Sequence, residues 1–237
     1  MFVTGTGTEV GKTVVAAAIA RTLAAEGKRV AVFKPAVTGL DDYDDADGTE
    51  IDLYRGKSSR RPAVERPDHV LLREAAGSGQ TDDEVAPYRY GPPMSPHLAA
   101  ALAGEEIDPE RLREAAQAAA AGADALVCEG VGGLLVPLAP DYLVRDLAAD
   151  LGLPLVVVAS PGLGTINHTL LTVEAARAAG LEIGLIVLTP WPDSPNPIEE
   201  SNRETIAALA SVRVETLPRL DPRDPSSWPA LSPPSPK

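Results

Sequence analysis

The sequence predicts an α/β fold: a doubly wound, mostly parallel sheet flanked by helices, in a single domain. Short apolar runs alternate with helical segments along most of the chain, which is typical of a parallel sheet covered on both faces. No segment of roughly 20–50 residues repeats, so a solenoid is excluded. The length of 237 residues and the hydrophobic fraction of 44% suit one large domain with a buried core.

The first predicted unit is a strand, a loop, a helix and a second strand. Met1–Thr4 is apolar and opens into a glycine-rich loop. Thr13–Ala25 is alanine-rich with apolar residues at helical spacing, Gly27 ends this helix, and Arg29–Phe33 is the second strand. The same alternation predicts later helices at Pro96–Leu102, Pro109–Ala121, Leu143–Asp150, Asn167–Ala179 and Pro197–Ala210, and strands at Ala125–Cys128, Leu155–Ala159 and Ile183–Leu188.

Two segments interrupt this alternation. Residues 41–67 begin with a run of acidic residues and continue with basic ones, which predicts a mobile surface insertion. Residues 218–237 are rich in proline and serine, and we expect this tail not to pack fully. We therefore assign residues 1–217 to the α/β domain and residues 218–237 to a C-terminal tail.

The charge balance excludes several classes of partner. With 21 Lys and Arg against 34 Asp and Glu, the formal net charge is −13. Binding along nucleic acids or anionic membrane surfaces needs clustered basic residues, so neither is expected. Cys128 is the one cysteine, so an intrachain disulfide is excluded, and neither a signal peptide nor a spanning segment is visible. We predict a soluble, cytoplasmic protein that acts on small molecules.

The glycine-rich loop predicts a phosphate site. The run Gly5-Thr6-Gly7-Thr8-Glu9-Val10-Gly11-Lys12-Thr13 joins the first strand to the first helix. In such a loop, backbone N–H groups and the helix N-terminus face phosphate oxygens, Lys12 reaches the terminal phosphates and Thr13 offers its hydroxyl to Mg²⁺. The usual P-loop pattern has glycine where Thr6 stands, but Gly-Lys-Thr at a strand–loop–helix junction still indicates a P-loop NTPase.

Two further groups follow predicted strands. Lys34 and Thr38 lie in the Lys-Pro-Ala-Val-Thr-Gly run after the second strand, and Glu129 opens a Glu-Gly-Val-Gly-Gly run after the strand at Ala125–Cys128. At the carboxyl edge of a doubly wound sheet, a lysine can stabilise a transferring phosphoryl group and a carboxylate can hold Mg²⁺. From the residues alone, a solvated lysine and a glutamate in a tight turn remain the alternatives.

Together these motifs resemble the dethiobiotin synthetase family. The family's loop, close to T-G-T-D-T-x-V-G-K-T, is similar to residues 4–13, its K-P-x-x-[ST]-G to residues 34–39, and its E-G-A-G-G to residues 129–133. The proline-rich run at residues 87–97 and the Gly-Leu-Gly-Thr-Ile-Asn-His run at residues 162–168 also resemble family segments. Five motifs in the same order, from residue 2 to about 190, make the resemblance specific.

The resemblance implies ATP- and Mg²⁺-dependent conversion of 7,8-diaminopelargonate and CO₂ into dethiobiotin, through a carbamate and a carbamic–phosphoric anhydride. It also implies a homodimer whose substrate site spans the interface. By the resemblance, Lys34 and Lys12 are catalytic. The nucleotide would be bound by Glu9, Val10, Gly11, Lys12, Thr13, Val14, Asp68, Glu129, Gly130, Val131, Gly132, Pro218, Arg219 and Leu220. The substrate would be bound by Thr8, Lys34, Thr38, Gly164 and Asn167, and Mg²⁺ by Thr13, Asp68 and Glu129.

The third metal ligand has two candidates. The family has an aspartate heading a helix with leucines three and four residues later and a glycine near position nine. Asp68 has Leu71, Leu72 and Gly77 at those offsets, whereas Asp47 has only the glycine. We therefore expect Asp68 to be the ligand and Asp47 to belong to the insertion.

Two departures leave the base of the nucleotide open, and other classes remain. Gly7 replaces the family's loop aspartate, and no base-reading Asn-Asp pair follows the strand at Ile183–Leu188. One alternative is a switch ATPase of the MinD/ParA kind, although Thr6 and Gly7 stand where its loop carries an extra lysine. Another is the amino half of a cobyrinate amidase, which should continue into a glutaminase domain. A non-catalytic module is disfavoured by Lys34, Thr38 and Glu129.

Overall fold

In the computed structural model, residues 1–41 and 66–234 are described. The strands are β1 (Phe2–Gly5), β2 (Val30–Phe33), β3 (Ala125–Gly133), β4 (Pro137–Ala139), β5 (Tyr142–Leu143), β6 (Leu155–Ala159), β7 (Ile183–Trp191) and β8 (Val214–Pro218). The helices are α1 (Lys12–Ala25), α2 (Asp68–Ala76), α3 (Asp82–Val85), α4 (Pro96–Leu102), α5 (Pro109–Ala120), α6 (Val144–Leu151), α7 (Thr165–Ala178) and α8 (Pro197–Ala210), with a 3₁₀ turn at Pro225–Ser227. No helix among these ranges is long and apolar enough to cross a membrane.

A six-stranded sheet in the order β2-β3-β1-β6-β7-β8 forms the centre of the molecule. Every neighbouring pair in it is parallel. This confirms the predicted doubly wound α/β fold. The chain passes from β1 outward to β2, returns to β3, and then crosses β1 to reach β6, so a crevice opens at the carboxyl end of β1.

Strands β1, β2 and β6 are buried throughout because helices cover both faces of the sheet. On one face, Val3, Val156 and Val187 pack with Ile19 of α1. On the opposite face, one core lies against α5 and α6 and a second lies against α7 and α8. Since both sheet faces are apolar, the strands read as continuous hydrophobic runs, which explains why they could be located from the sequence.

Several element boundaries differ from the sequence-based expectation. The helices at Pro96–Leu102 and Pro197–Ala210 and the strand at Leu155–Ala159 are confirmed. However, β3 continues through Glu129 to Gly133, because its last residues pair with β1, where Gly133 is opposite Gly5. The apolar pattern did not predict β8, which lies at the sheet edge and contains polar residues, or the small β4–β5 hairpin.

Part of the proline-rich tail packs against the domain, while most of its described residues remain exposed or half-buried. Trp228 and Leu231 are each 4% exposed and belong to the core on the α1 side. The side chain of Arg21 donates to the Trp228 carbonyl, and Leu231 N donates to Thr22 Oγ1 over 3.0 Å. Side chains of α1 thus satisfy backbone groups that prolines leave without strand partners. The predicted insertion at 41–67, with Asp47, lies outside the described residues apart from its ends.

Candidate active site

The loop between β1 and α1 has a fixed conformation set by its glycines. Gly11, the N-cap of α1, has φ +94°, and a Cβ there would lie 2.8 Å from the methyl carbon of Thr189. A Cβ on Gly5 would lie 2.7 Å from Val10 Cγ2. Lys12 is buried, and its Nζ donates to the carbonyl of Gly7 over 2.9 Å. The loop therefore folds back over its own lysine, as a phosphate cradle requires.

Four elements bring charged and hydroxyl groups together beside this loop. Lys34, after β2, has Nζ 2.7 Å from Asp68 Oδ2 at the start of α2 and 2.7 Å from Glu129 Oε1 in β3. The Thr13 hydroxyl in α1 donates to Glu129 Oε1 over 2.9 Å. Lys34 is 3% exposed and Glu129 fully buried, while the Asp68 side chain is 37% exposed. These residues meet because the carboxyl ends of β1, β2 and β3 are adjacent.

Burial and neighbouring charges shift the pKa values of four groups in this cluster. Burial opposes the charge of Lys34, but the Asp68 and Glu129 carboxylates outweigh it and raise the pKa of the ammonium. Desolvation would raise the pKa of Asp68, yet the neighbouring Lys34 ammonium and the Thr13 hydroxyl hold it below its usual value. Burial raises the pKa of Glu129, opposed by Lys34. Burial also lowers the pKa of Lys12, and the positive charge of Lys34 adds to this lowering.

The oxygen atoms of this cluster fit a magnesium ion. Glu129 Oε2 is buried and has no hydrogen-bond partner, so one carboxylate oxygen is available to a cation. Asp68 and the Thr13 hydroxyl supply further oxygen ligands nearby. Mg²⁺ is commonly held by one or two carboxylates together with substrate phosphates and waters. The candidate ligands are therefore two carboxylates and one hydroxyl. No group of three or more His, Cys, Asp or Glu that could hold a metal occurs in the described ranges.

The segment after Lys34 is attached to the predicted proline-rich segment. Val37 N donates to the Tyr88 carbonyl over 2.9 Å, Tyr90 N donates back to the Val37 carbonyl over 2.8 Å, and Gly39 N donates to Pro92 O over 3.1 Å. Thr38 lies half-buried within this pairing. The pairing thus holds the loop that carries Thr38 beside the end of β2.

Other predicted residues are placed at the same edge without joining the Lys34 cluster. Thr8 is exposed on the glycine-rich loop. Gly164 and Asn167 lie exposed at the start of α7, and neither is hydrogen-bonded to Lys34 or Glu129 in the part of the chain that the structure describes.

The remaining predicted nucleotide residues lie around the loop and at the end of β8. Glu9 (φ +58°) is exposed, and Val10 and Val14 are partly buried against the core on the α1 side, as is Leu220. Gly130, Val131 and Gly132 lie within β3 after Glu129. Pro218 ends β8 opposite Trp191 and precedes Arg219.

Asn202 was not among the predicted site residues, and it lies beside the loop that leads into α7. Asn202 is 7% exposed and shares the buried face of α8 with Ile206 and Ala210. Its spacing of four residues from Ile206 was a usable signal, because a polar residue on an apolar helix face has to find buried partners.

Comparison with known proteins identifies the family. A family model described as AAA domain matches residues 1–230. The ATP-dependent dethiobiotin synthetase BioD of Anaeromyxobacter dehalogenans (strain 2CP-C) is 42% identical over 209 residues, which is 88% of this chain and 84% of that protein. The BioD proteins of Bacillus subtilis (strain 168) and Mycobacterium avium (strain 104) are 34% and 42% identical, each over 90% of this chain and 84% of the relative.

The chain belongs to the dethiobiotin synthetase family. It is therefore an enzyme of the ligase class, as the motifs led us to expect.

Two solved structures have an overall fold similar to that of this chain. A ParA family ATPase from Chlorobium tepidum TLS matches with TM-score 0.51 and 17% identity, covering 92% of this chain and 83% of that one. The septum site-determining protein MinD of Pyrococcus horikoshii OT3, complexed with Mg-ADP, matches with TM-score 0.50 and 17% identity over 95% and 84% of the two chains. At this identity the likeness concerns architecture alone.

Proposed function

We propose that this chain catalyses the ATP- and Mg²⁺-dependent carboxylation and ring closure of 7,8-diaminopelargonate, giving dethiobiotin, ADP and phosphate. The observation that carries the proposal is the convergence of Lys34, Asp68, Glu129 and Thr13 beside a glycine-rich loop. Synthesis of dethiobiotin is also what the names of the relatives describe.

The proposed reaction has three steps. One amine of the substrate adds to CO₂ and loses a proton, which gives a carbamate. A carbamate oxygen then attacks the γ-phosphorus of ATP, the bond between that phosphorus and the ADP oxygen breaks, and a carbamic–phosphoric anhydride forms. The second amine attacks the carbonyl carbon, expels phosphate and closes the cyclic urea. Such chemistry depends on positioning and on stabilising negative charge.

In this proposal, the lysines stabilise the negative charges. Lys12 and the backbone N–H groups of residues 9–14 bind the phosphates, and Lys34 stabilises the carbamate and the transferring phosphoryl group. Burial supports this role for Lys34, because a cation in a site poor in water acts more strongly on a nearby anion. Thr13, Asp68 and Glu129 would hold Mg²⁺, which when bound neutralises charge on the β- and γ-phosphates.

We assign the other predicted residues to the two ends of the diamino acid and to the nucleotide. Thr8 and Thr38 bind the amine or carbamate end of the diamino acid. Gly164 and Asn167 bind its carboxylate in the site of a second subunit, so that the enzyme works as a homodimer in the cytoplasm. Pro218, Arg219 and Leu220 line the position of the base, together with Gly130, Val131 and Gly132 near the phosphates. Rates with ATP, GTP, CTP and UTP test the base preference.

Phosphate release tests the proposed function. We expect release with ATP, Mg²⁺ and bicarbonate to depend on 7,8-diaminopelargonate, with dethiobiotin formed in equal amount. Release that ignores the diamine would instead support a switch ATPase and refute the proposal.

A pair of matched variants tests the metal ligand. Asp68→Asn should abolish Mg²⁺-dependent turnover, because it removes a carboxylate next to Lys34 and Glu129. Asp47→Asn should leave turnover unchanged. The reverse result would assign the role to Asp47.

A further inference from the structure

The loop from Pro161 to Gly164 joins β6 to α7 and is open to solvent at its tip. Leu163 is 95% exposed, and Gly164 has φ +91° and caps α7 without a side-chain hydrogen bond. Pro161 is buried beneath it. Because the four residues of this loop have no polar side chains, its own side chains cannot fix the direction of its peptide groups by hydrogen bonding.

Asn202, on α8, provides that support. Its side-chain amide donates to the Pro161 carbonyl over 2.9 Å and to the Gly162 carbonyl over 3.2 Å. The Gly162 carbonyl also accepts from Thr165 N over 3.2 Å, which links the same point to the first turn of α7. One buried NH₂ group therefore holds two consecutive carbonyls of the loop toward α8.

The two held carbonyls fix two amide donors. In a trans peptide the N–H is antiparallel to the C=O, and both of these peptides are trans. With the carbonyls of Pro161 and Gly162 turned toward α8, the N–H groups of Gly162 and Leu163 point away from it. Neither N–H donates a hydrogen bond to any described part of the chain. They add to the positive end of α7, whose first turn contains no acidic residue.

We propose that Asn202 is a positioning residue for substrate binding: by holding the Pro161 and Gly162 carbonyls inward, it keeps the loop amides directed at the carboxylate of the diamino acid. This inference rests on the proposed function, which assigns that carboxylate to Gly164 and Asn167. Asn202 itself does not touch the substrate. Its effect is on the affinity for one end of one substrate, and ATP is bound elsewhere.

The variant Asn202→Asp tests this role with little change in shape. A carboxylate cannot donate, and it would repel the two carbonyl oxygens, so the loop peptides would turn. Asn196→Asp is the matched control on the same helix, because Asn196 Oδ1 accepts from Ile198 N and Glu199 N, and an aspartate accepts equally well there. The same chemical change thus meets a need for a donor at one position and for an acceptor at the other.

Steady-state kinetics of the full chain distinguish the outcomes. For Asn202→Asp we expect KM for 7,8-diaminopelargonate to rise about tenfold or more. Losing the hydrogen bonds to two carbonyls should weaken substrate binding by about that factor. KM for ATP should stay within about twofold of wild type, and Asn196→Asp should behave as wild type. The decisive probe is 2,3-diaminononane, which has the vicinal diamine but no carboxylate, used as a substrate or competitive inhibitor. Its affinity should not respond to Asn202→Asp.

Several results would overturn the inference. An unchanged KM for 7,8-diaminopelargonate would do so, as would an equal loss of affinity for both diamines or for ATP, because these would indicate a purely structural residue. If Asn202→Asp does not fold, Asn202→Ala, which removes the donor without adding a charge, is subject to the same criteria. If the wild-type chain shows no diamine-dependent turnover, both the proposed function and this inference are wrong. If the wild-type chain turns over normally and the variant is unaffected, only the role of Asn202 is refuted.

Discussion

Alanine substitution at three glycines near α1 separates the free-energy cost of a left-handed backbone from that of a steric clash. Gly7 has an ordinary φ, and a Cβ there would meet nothing within 4 Å. Gly27, after α1, has φ +82° with equally open surroundings. Gly11 combines φ +94° with a Cβ position only 2.8 Å from Thr189 Cγ2. Alanine at Gly7 should therefore introduce no strain. Alanine at Gly27 should introduce backbone strain, and alanine at Gly11 should introduce backbone strain together with a steric clash.

The expected magnitudes follow from these geometries. A left-handed conformation costs an L-residue roughly 1–2 kcal/mol, and forcing an extra methyl group into a packed contact costs roughly 1–3 kcal/mol. Gly11→Ala should therefore lower the free energy of unfolding by about 2–5 kcal/mol, Gly27→Ala by about 1–2 kcal/mol, and Gly7→Ala by less than about 0.5 kcal/mol. For a chain of this size, Gly11→Ala corresponds to a fall in Tm of roughly 4–20 °C.

Thermal unfolding followed by circular dichroism, without nucleotide, measures all three variants. Isothermal titration with ATP should in addition show weaker binding for Gly11→Ala and normal binding for Gly27→Ala, because Gly11 lies in the phosphate loop and Gly27 lies at the far end of α1. A Gly11→Ala variant no less stable than Gly27→Ala would refute the predicted clash with Thr189. A Gly7→Ala variant as unstable as Gly11→Ala would refute the whole scheme.

Three further results are expected. Lys34→Ala should reduce kcat for diamine-dependent phosphate release by roughly 10²–10³-fold, as loss of a charge-stabilising donor does, while ATP still binds in a direct titration; retained kcat would remove Lys34 from the mechanism. Trp228→Ala should lower the free energy of urea unfolding by about 3–5 kcal/mol, because Trp228 is only 4% exposed, whereas Leu209→Ala, at a side chain 61% exposed, should change it by less than about 0.5 kcal/mol. Hydrogen bonds from the Arg29 side chain, and to a lesser degree from its backbone N–H, lower the pKa of Asp124 from its ordinary 3.8 to about 2. The stabilisation from this pair is therefore present above pH 3.8 and is lost as the pH falls toward 2. The Tm of Asp124→Asn should therefore lie below that of wild type at pH 6, with the gap closing toward pH 2; a gap independent of pH would contradict this.

Local patterns account for what the sequence predicted well. The helices at Pro96–Leu102 and Pro197–Ala210 and the buried strand at Leu155–Ala159 depend on periodicity, caps and apolar runs, which are properties of neighbouring residues. The glycine-rich loop is also local, since strand, turn and helix follow each other directly. By contrast, β8 and the buried contacts of Trp228 and Leu231 depend on partners far along the chain, so local composition could not predict them.

By itself, the sequence determined the α/β class, the phosphate loop and, through ordered motifs, the family. Only the tertiary structure decided that Lys34, Asp68, Glu129 and Thr13 share one site, because that follows from the order in which β2, β3 and β1 lie in the sheet. It alone revealed that Asn202 holds the carbonyls of a loop some forty residues earlier. The spacing of residues along the chain predicts local secondary structure, whereas contacts between distant elements depend on how those elements pack.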